Sequence, residues 1–197
     1  MTPPPTRNLR ADALRSRAAI LDAALQVLEA RPDASLDAVA AAAEVTRQTV
    51  YAHFRSRDQL LTAVVDRLTE ETAAAMNATD PDTGSAAEAL LRVLDAGERT
   101  VGRYPVLARL AGSLPTGTRA DRERHEPISE LLARVIRRGQ QAGEFDDRLP
   151  PGWLATVTVK LAHAASEETR SGRMTQEESR RALHTTLLLA LGGTARP

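Results

Sequence analysis

Residues 20–61 decide the fold and read ILDAALQVLEARPDASLDAVAAAAEVTRQTVYAHFRSRDQLL. Apolar residues at the start of this stretch recur at steps of three and four, which is the spacing of one face of a helix. Residues 31–33, Arg-Pro-Asp, end that helix, and Ser35 and Thr46 each stand where a side chain can cap a short helix. The stretch therefore predicts a long helix followed by two short ones, with a tight turn at Glu44-Val45 between the short helices.

Two short helices joined by a tight turn are the outline of a helix-turn-helix. Helices that cross at a near right angle need apolar contact residues, one of them small, and the chain supplies Val39, Ala40, Ala43, Val45 and Val50. The exposed side of the third helix would then carry Arg47, Gln48 and Thr49 in its first turn. Arginine and glutamine are the side chains that bind guanine and adenine edges through two hydrogen bonds in the major groove. The pattern therefore indicates a DNA-reading helix.

The charge distribution indicates one local surface that faces an anion. Over all 197 residues, 26 basic residues balance 26 acidic ones, so the net charge is zero. Residues 1–57 nevertheless hold eight arginines against six acidic residues, and residues 45–57 contain three arginines and His53 but no acid. The distribution of charge decides such a question more than its total does.

The most specific motif is VTRQTVYAHF at residues 45–54, followed by a basic residue and the Leu-Leu pair at 60–61. This run resembles the N-terminal domain of TetR-type transcriptional repressors over about 45 residues. The remaining residues resemble that family only in the number and length of their helices. One departure is Glu44, where the family usually has glycine. If that position is left-handed, a residue other than glycine costs roughly 1 kcal/mol there, which the fold tolerates.

The resemblance implies a role for each matching position. Arg47, Gln48 and Thr49 would face bases. The implied phosphate contacts are Arg17, Ser35, Thr46, Tyr51, His53 and Arg57, and hydroxyls, imidazoles and helix N-termini are all suitable phosphate donors. Taken singly, Tyr51 is more often a half-buried aromatic residue, His53 a surface histidine and Arg57 a solvated charge, so the inference depends on their joint spacing. Phe54 is assigned to the core.

The whole chain reads as all-α with about nine helices, because strong helix formers dominate it. We expect a disordered arm over residues 1–10, a helix-turn-helix domain over 11–56, and a ligand-binding and dimerisation domain over 57–197. Thr175 and Glu178 form a capping-box pattern that starts the last helix. Pro127 predicts a kink or a restart in the seventh helix.

The last two helices are predicted to form a homodimer interface. A single helix-turn-helix contacts too few base pairs for selectivity, so such proteins read two half-sites as dimers. The ninth helix carries more apolar surface than a one-sided helix needs. The alternative is an ordinary intramolecular core. The candidate interface residues are Leu161, Ala165, Leu183, Leu187 and Leu191.

The middle helices would enclose a pocket for a small-molecule effector, as the resemblance implies. Amphipathic side chains on an otherwise aliphatic surface suit a pocket with few polar anchors. Each of these residues is also compatible with a place in the core or at its rim. The candidate lining residues are Met76, Tyr104, Leu107, His125, Leu132, Ile136 and Trp153.

Several classes of protein are excluded or disfavoured. The chain has no cysteine, which excludes disulfides and cysteine nucleophiles, and its four histidines lack metal-ligand spacing. We expect no metal, no cofactor and no catalysis. No apolar run is long enough to cross a membrane, so we expect an intracellular protein. The resemblance implies a cytoplasmic, nucleoid-associated regulator whose partners are double-stranded operator DNA, a small molecule and its own copy. The rival reading is a helical regulatory or scaffold protein that acts through protein partners.

Overall fold

The computed structural model describes residues 5–114 and 118–192, with side chains from Ala11 onward. These described ranges are all-α, as predicted, and no helix in them is long and apolar enough to span a bilayer. The helices are α1 (Pro5–Ala30), α2 (Leu36–Ala42), α3 (Arg47–His53), α4 (Arg57–Asn77), α5 (Ala86–Gly102), α6 (Pro105–Ala111), α7 (Arg119–Gln141), α8 (Pro151–Arg170) and α9 (Gln176–Ala190).

The described residues form two compact units, each with its own core. Unit 1 contains residues 5–69 and 101–114, and unit 2 contains residues 70–100 and 118–192. Unit 1 extends past the predicted boundary at residue 57 because Leu60, Val64 and Leu107 are buried in the same apolar cluster as α1, α2 and α3. Helix α4 therefore starts in unit 1 and ends in unit 2.

Local capping produces the two short helices of unit 1. The Ser35 hydroxyl accepts a hydrogen bond from the Ala38 amide at 3.3 Å, and the Thr46 hydroxyl accepts one from the Thr49 amide at 3.1 Å. Between the helices Glu44 has a φ of 53°, which is the left-handed conformation expected at this turn. These contacts confirm the predicted turn and both predicted caps.

Helix α6 is fastened to the end of α1 inside unit 1. The two carboxylate oxygens of Glu29 accept hydrogen bonds from the backbone amides of Val106 and Leu107 at 3.1 and 3.0 Å. Those amides lie in the first turn of α6, where backbone donors have no partner within the helix. A carboxylate is also favoured by the positive end of the helix dipole. Sequence-distant residues 101–114 thereby become part of the unit that contains α3.

Two predicted helix features differ from the structure. Helix α1 begins at Pro5 rather than at Ala11, so the predicted arm over residues 1–10 is helical from residue 5, and residues 1–4 lie outside the described ranges. Helix α7 is one continuous helix with Pro127 inside it, so the helix does not restart there, and the kink stays a prediction. Pro127 is exposed, and Ile128, Leu131 and Leu132 on its C-terminal side are buried in unit 2, so their packing holds the helix in place beyond the proline.

The core of unit 2 is built from the apolar faces of α5, α7, α8 and α9, together with the end of α4. Leu90, Leu132, Ile136 and Leu187 are each at most 1% exposed. The start of α9 is fixed by the predicted capping box, in which Thr175 and Glu178 exchange side-chain and backbone hydrogen bonds. Helices α8 and α9 pack against each other within this unit.

Candidate DNA-binding surface

Helix α3 presents a polar first turn because its apolar residues fix its rotation. Val50 is fully buried and Phe54 is 3% exposed, so the opposite face of the helix points to solvent. Arg47, Gln48 and Tyr51 lie on that exposed face. The arrangement exposes the side chains that can read base edges and buries those that cannot.

Arg47 is held by two neighbours on the surface of unit 1. Its Nε atom lies 2.8 Å from Oδ1 of Asp37 in α2, and its guanidinium carbon lies 5.5 Å from the centre of the Tyr51 ring. A hydrogen bond with the Tyr51 side chain, followed by the charge of Asp37, raises the pKa of Arg47. The side chain remains 68% exposed. Arg47 is therefore a charged and oriented group that solvent or a ligand can reach.

The threonine and serine hydroxyls of the site are already engaged. The Thr46 and Thr49 hydroxyl oxygens lie 2.8 Å apart, and Thr46 also caps α3. Ser35 caps α2 from an exposed position. Thr49 is half-buried, unlike Gln48 beside it. The predicted base contact of Thr49 and the predicted phosphate contacts of Thr46 and Ser35 stay predictions.

His53 and Arg17 lie together at the C-terminal end of α3. The His53 Nε2 atom is 2.8 Å from the Ser16 hydroxyl in α1, and the Arg17 guanidinium carbon is 5.4 Å from the centre of the Phe54 ring. These contacts bring residues 16 and 17 of α1 next to the helix that the sequence identified. The structure thereby places two predicted phosphate ligands, Arg17 and His53, in one neighbourhood.

Arg57 has a structural contact that the sequence did not predict. Its guanidinium donates a hydrogen bond to the carbonyl of Pro32 in the turn between α1 and α2. Its Nε atom is shielded from solvent and has no hydrogen-bond partner among the described residues. Arg57 therefore fastens α4 to the α1–α2 turn, and its phosphate contact stays a prediction.

The predicted pocket residues lie in different environments. Met76, Leu132 and Ile136 belong to the core of unit 2, whereas Tyr104 and Leu107 pack in the core of unit 1. His125 lies with its Nδ1 atom 2.8 Å from the carbonyl of Asp121, and Trp153 is 58% exposed on α8. Met76, Leu132 and Ile136 are buried in the core of unit 2, and their contact with an effector stays a prediction.

The predicted interface residues divide by exposure. Leu187 and Leu191 are each 1% exposed in the single chain, because both complete the core of unit 2, so they offer almost no surface to a second copy. Leu161 and Leu183 pack partly against the same core, and Ala165 is half-buried. Leu189 is instead an exposed large apolar residue of α9, at 67%.

Asp37 is the residue of this surface whose partner sequence reasoning missed. Asp37 is an acidic residue in the first turn of α2, where the positive end of the helix dipole favours it. Its proximity to Arg47 follows from the crossing of α2 and α3, which brings together residues ten positions apart. The helix-turn-helix outline predicts that α2 and α3 cross, but it does not predict which of their exposed side chains meet.

Residues 20–64 match the TetR family of bacterial regulatory proteins. The chain is 35% identical over 167 residues to the HTH-type transcriptional repressor LfrR of Mycolicibacterium smegmatis, an alignment that covers 80% of this chain and 81% of LfrR.

Solved structures agree with this similarity. The structure of LfrR from Mycobacterium smegmatis in complex with proflavine is 33% identical and superposes with a TM-score of 0.56, covering 88% of this chain and 94% of that one. A TetR-family transcriptional regulator from Rhodococcus sp. is 22% identical and superposes with a TM-score of 0.72, covering 89% of this chain and 98% of the other, which supports the fold.

Proposed function

Because the chain belongs to the TetR family of bacterial regulatory proteins, we propose that α3 enters the major groove of an operator and that an effector bound by unit 2 releases it. The chain is a ligand-responsive, DNA-binding transcriptional regulator, and its family consists of regulators rather than enzymes. Family membership also decides against a scaffold that acts only through protein partners. Its place of action is the bacterial chromosome, in the cytoplasm.

The observation that carries the proposal is the exposed first turn of α3. Arg47 and Gln48 stand there beside the Thr46 cap, while Val50 and Phe54 hold the opposite face of the helix in the core. The N-terminal residues of a recognition helix are the ones that reach base edges. Phosphate contacts from Arg17, Ser35, Thr46, Tyr51, His53 and Arg57 would then fix the register without reading sequence.

The direct test of the proposal is selection of genomic DNA fragments by the purified chain. The expected result is enrichment of a few fragments that share a palindromic site, with binding that weakens as salt rises. Equal recovery of all fragments would contradict the proposal. The genes beside the enriched sites would then indicate which effectors to try.

We propose that two copies associate through the exposed faces of α8 and α9. Operator sites for helix-turn-helix proteins mirror the two-fold symmetry of a dimer. Leu189 on α9 and Trp153 on α8 are large apolar side chains with 67% and 58% of their surface exposed, so they offer apolar area that a second copy can bury. Leu187 and Leu191 belong to the chain's own core and are not part of this proposed interface.

Leu189→Glu is expected to give monomers at micromolar concentration and to weaken operator binding. The melting temperature of the single chain should not change. The physical reason is that a charge would be desolvated in the interface. Leu14→Glu is a matched control, because Leu14 is 69% exposed on α1 in unit 1. Analytical ultracentrifugation measures both variants. A dimeric Leu189→Glu variant, or a wild-type chain that sediments as a monomer, would contradict the proposed interface.

Proflavine is the first effector to test, because the similar chain LfrR has been solved in complex with it. We expect proflavine to bind this chain and to raise the operator Kd by about 5- to 150-fold, the usual range of such coupling. Thermodynamic linkage requires the operator to weaken proflavine binding by the same factor. Fluorescence titration of proflavine and anisotropy of labelled operator give the two measurements.

A planar aromatic cation also binds duplex DNA by itself, so the same titration is run on the operator without protein. Proflavine that binds the chain and leaves the operator Kd unchanged would contradict release by an effector. If proflavine does not bind the chain at all, the effector belongs to a different chemical class from the ligand of LfrR.

A further inference from the structure

An acidic residue stands on the surface that the proposed function turns towards DNA. Asp37 lies in the first turn of α2, and its side chain is 45% exposed. A carboxylate at such a surface repels phosphates and lowers the affinity for every DNA sequence. Its presence there needs a compensating role.

The partner of Asp37 is Arg47, the first of the residues that we expect to contact bases. Oδ1 of Asp37 lies 2.8 Å from Nε of Arg47, is shielded from solvent, and accepts no well-aligned hydrogen bond. The nearby positive charge of Arg47 therefore offsets the negative charge of the Asp37 carboxylate. Ion pairs between exposed side chains contribute little to stability, so a contribution to the stability of the fold does not explain this pair.

The geometry suits an arginine that binds guanine. When Asp37 occupies the Nε side of the guanidinium, the terminal nitrogens on the other side stay free to donate to guanine O6 and N7, which bind arginine through two hydrogen bonds. The Tyr51 ring lies 5.5 Å from the guanidinium carbon and restrains it from a second direction. An arginine held in this way loses less rotamer entropy when it binds a base.

We propose that Asp37 is a positioning residue that sets base preference by orienting the guanidinium of Arg47 towards a guanine in each half-site. The proposal rests on the proposed function of α3 as the recognition helix. Asp37 acts through Arg47 and does not itself touch the base. Its charge lowers the affinity for all DNA. Its effect on Arg47 raises the difference in affinity between a site with guanine and a site with another base, so a repulsive group contributes to specificity.

The test compares Asp37→Asn with the wild-type chain on three duplexes. These are the selected operator, the same operator with the guanine of Arg47 replaced in both half-sites, and random DNA. We expect Asp37→Asn to bind random DNA about two- to five-fold more tightly, because one negative charge is lost. We expect its discrimination between the two operators to fall by about five- to ten-fold, part of the discrimination that a bidentate contact provides.

Two further variants separate positioning from a general effect of charge or fold. Asp33→Asn removes the same charge from the exposed α1–α2 turn, and should strengthen random binding without changing discrimination. Asp37→Glu keeps the carboxylate, and should recover most of the discrimination. A purely structural role for Asp37 would instead weaken binding to all three duplexes together, and that result would overturn the proposal.

A double-mutant cycle completes the test. In the Arg47→Ala background, Asp37→Asn should leave discrimination at that base pair unchanged, because the oriented group is gone. If Arg47→Ala abolishes discrimination while Asp37→Asn and Asp37→Glu both retain it, the positioning role of Asp37 is wrong. The assignment of α3 as the recognition helix is then unaffected. If Arg47→Ala leaves discrimination intact at every base pair, the proposed function of α3 fails first.

Discussion

Replacing both Arg47 and Gln48 by alanine is expected to remove the preference for operator over random DNA. Each base contact of this kind contributes about 1–3 kcal/mol of discrimination, so the double variant should bind its operator at least roughly 30-fold more weakly. Binding to random DNA should fall much less, because only one positive charge is lost. Both side chains are exposed on α3, so the fold should survive.

Arg57→Ala provides the contrasting arginine variant. It should weaken operator and random DNA alike and lower the salt slope by roughly one for each contacted phosphate. Because Arg57 also donates to the carbonyl of Pro32, a thermal melt accompanies the titration. Affinities are measured on operator, single-base variants and random DNA at several salt concentrations. A change of base preference in Arg57→Ala, with uniform weakening in the double variant, would contradict the placement of α3.

Among the variants named here, Gly139→Ala is expected to lower the free energy of unfolding most. A Cβ at Gly139 in α7 would lie 2.2 Å from Cδ2 of Phe145 and 2.9 Å from the Cβ of Ala86. Phe145 is 4% exposed and Ala86 is fully buried, so neither can move aside without disturbing the core of unit 2. Overpacking of this kind costs about 1–3 kcal/mol or more. We expect the free energy of unfolding to fall by about 3 kcal/mol.

Gly152→Ala is the matched control in α8. A Cβ there meets no atom within 4 Å, and alanine is the better helix former by up to about 1 kcal/mol. Chemical denaturation of both variants measures the difference. A Gly139→Ala chain at least as stable as the wild type would mean that Phe145 does not close against α7 as the structure has it.

Features fixed by neighbouring residues could be predicted from the sequence. The caps at Ser35 and Thr46 depend on backbone groups within four positions, and both are confirmed. The stop of α1 and the capping box of α9 are local in the same sense. Pro127 shows the limit of that reasoning, because the burial of Ile128, Leu131 and Leu132 beside it keeps α7 continuous against a local signal.

Features fixed by distant residues could not be predicted. Periodicity identifies the apolar face of α9, but it does not say whether that face meets its own chain or a second copy, and Leu187 meets its own chain. Tyr104 and Leu107 pack with α1–α3 because α6 is fastened to Glu29, about 77 residues away along the chain. The pairing of Asp37 with Arg47 needs the crossing of α2 and α3, and the tight fit of Gly139 needs the position of Phe145.

In the proposed complex, α3 of each copy lies in the major groove of one half-site. Dimethyl sulfate tests it directly, because it methylates guanine at N7 in the major groove and adenine at N3 in the minor groove. On the selected operator, we expect the wild-type chain to protect guanine N7 in two symmetry-related half-sites one helical turn or a multiple apart. We expect the Arg47→Ala variant to lose protection of one guanine in each half-site. Protection of adenine N3 alone, or of a single unpaired half-site, would contradict it.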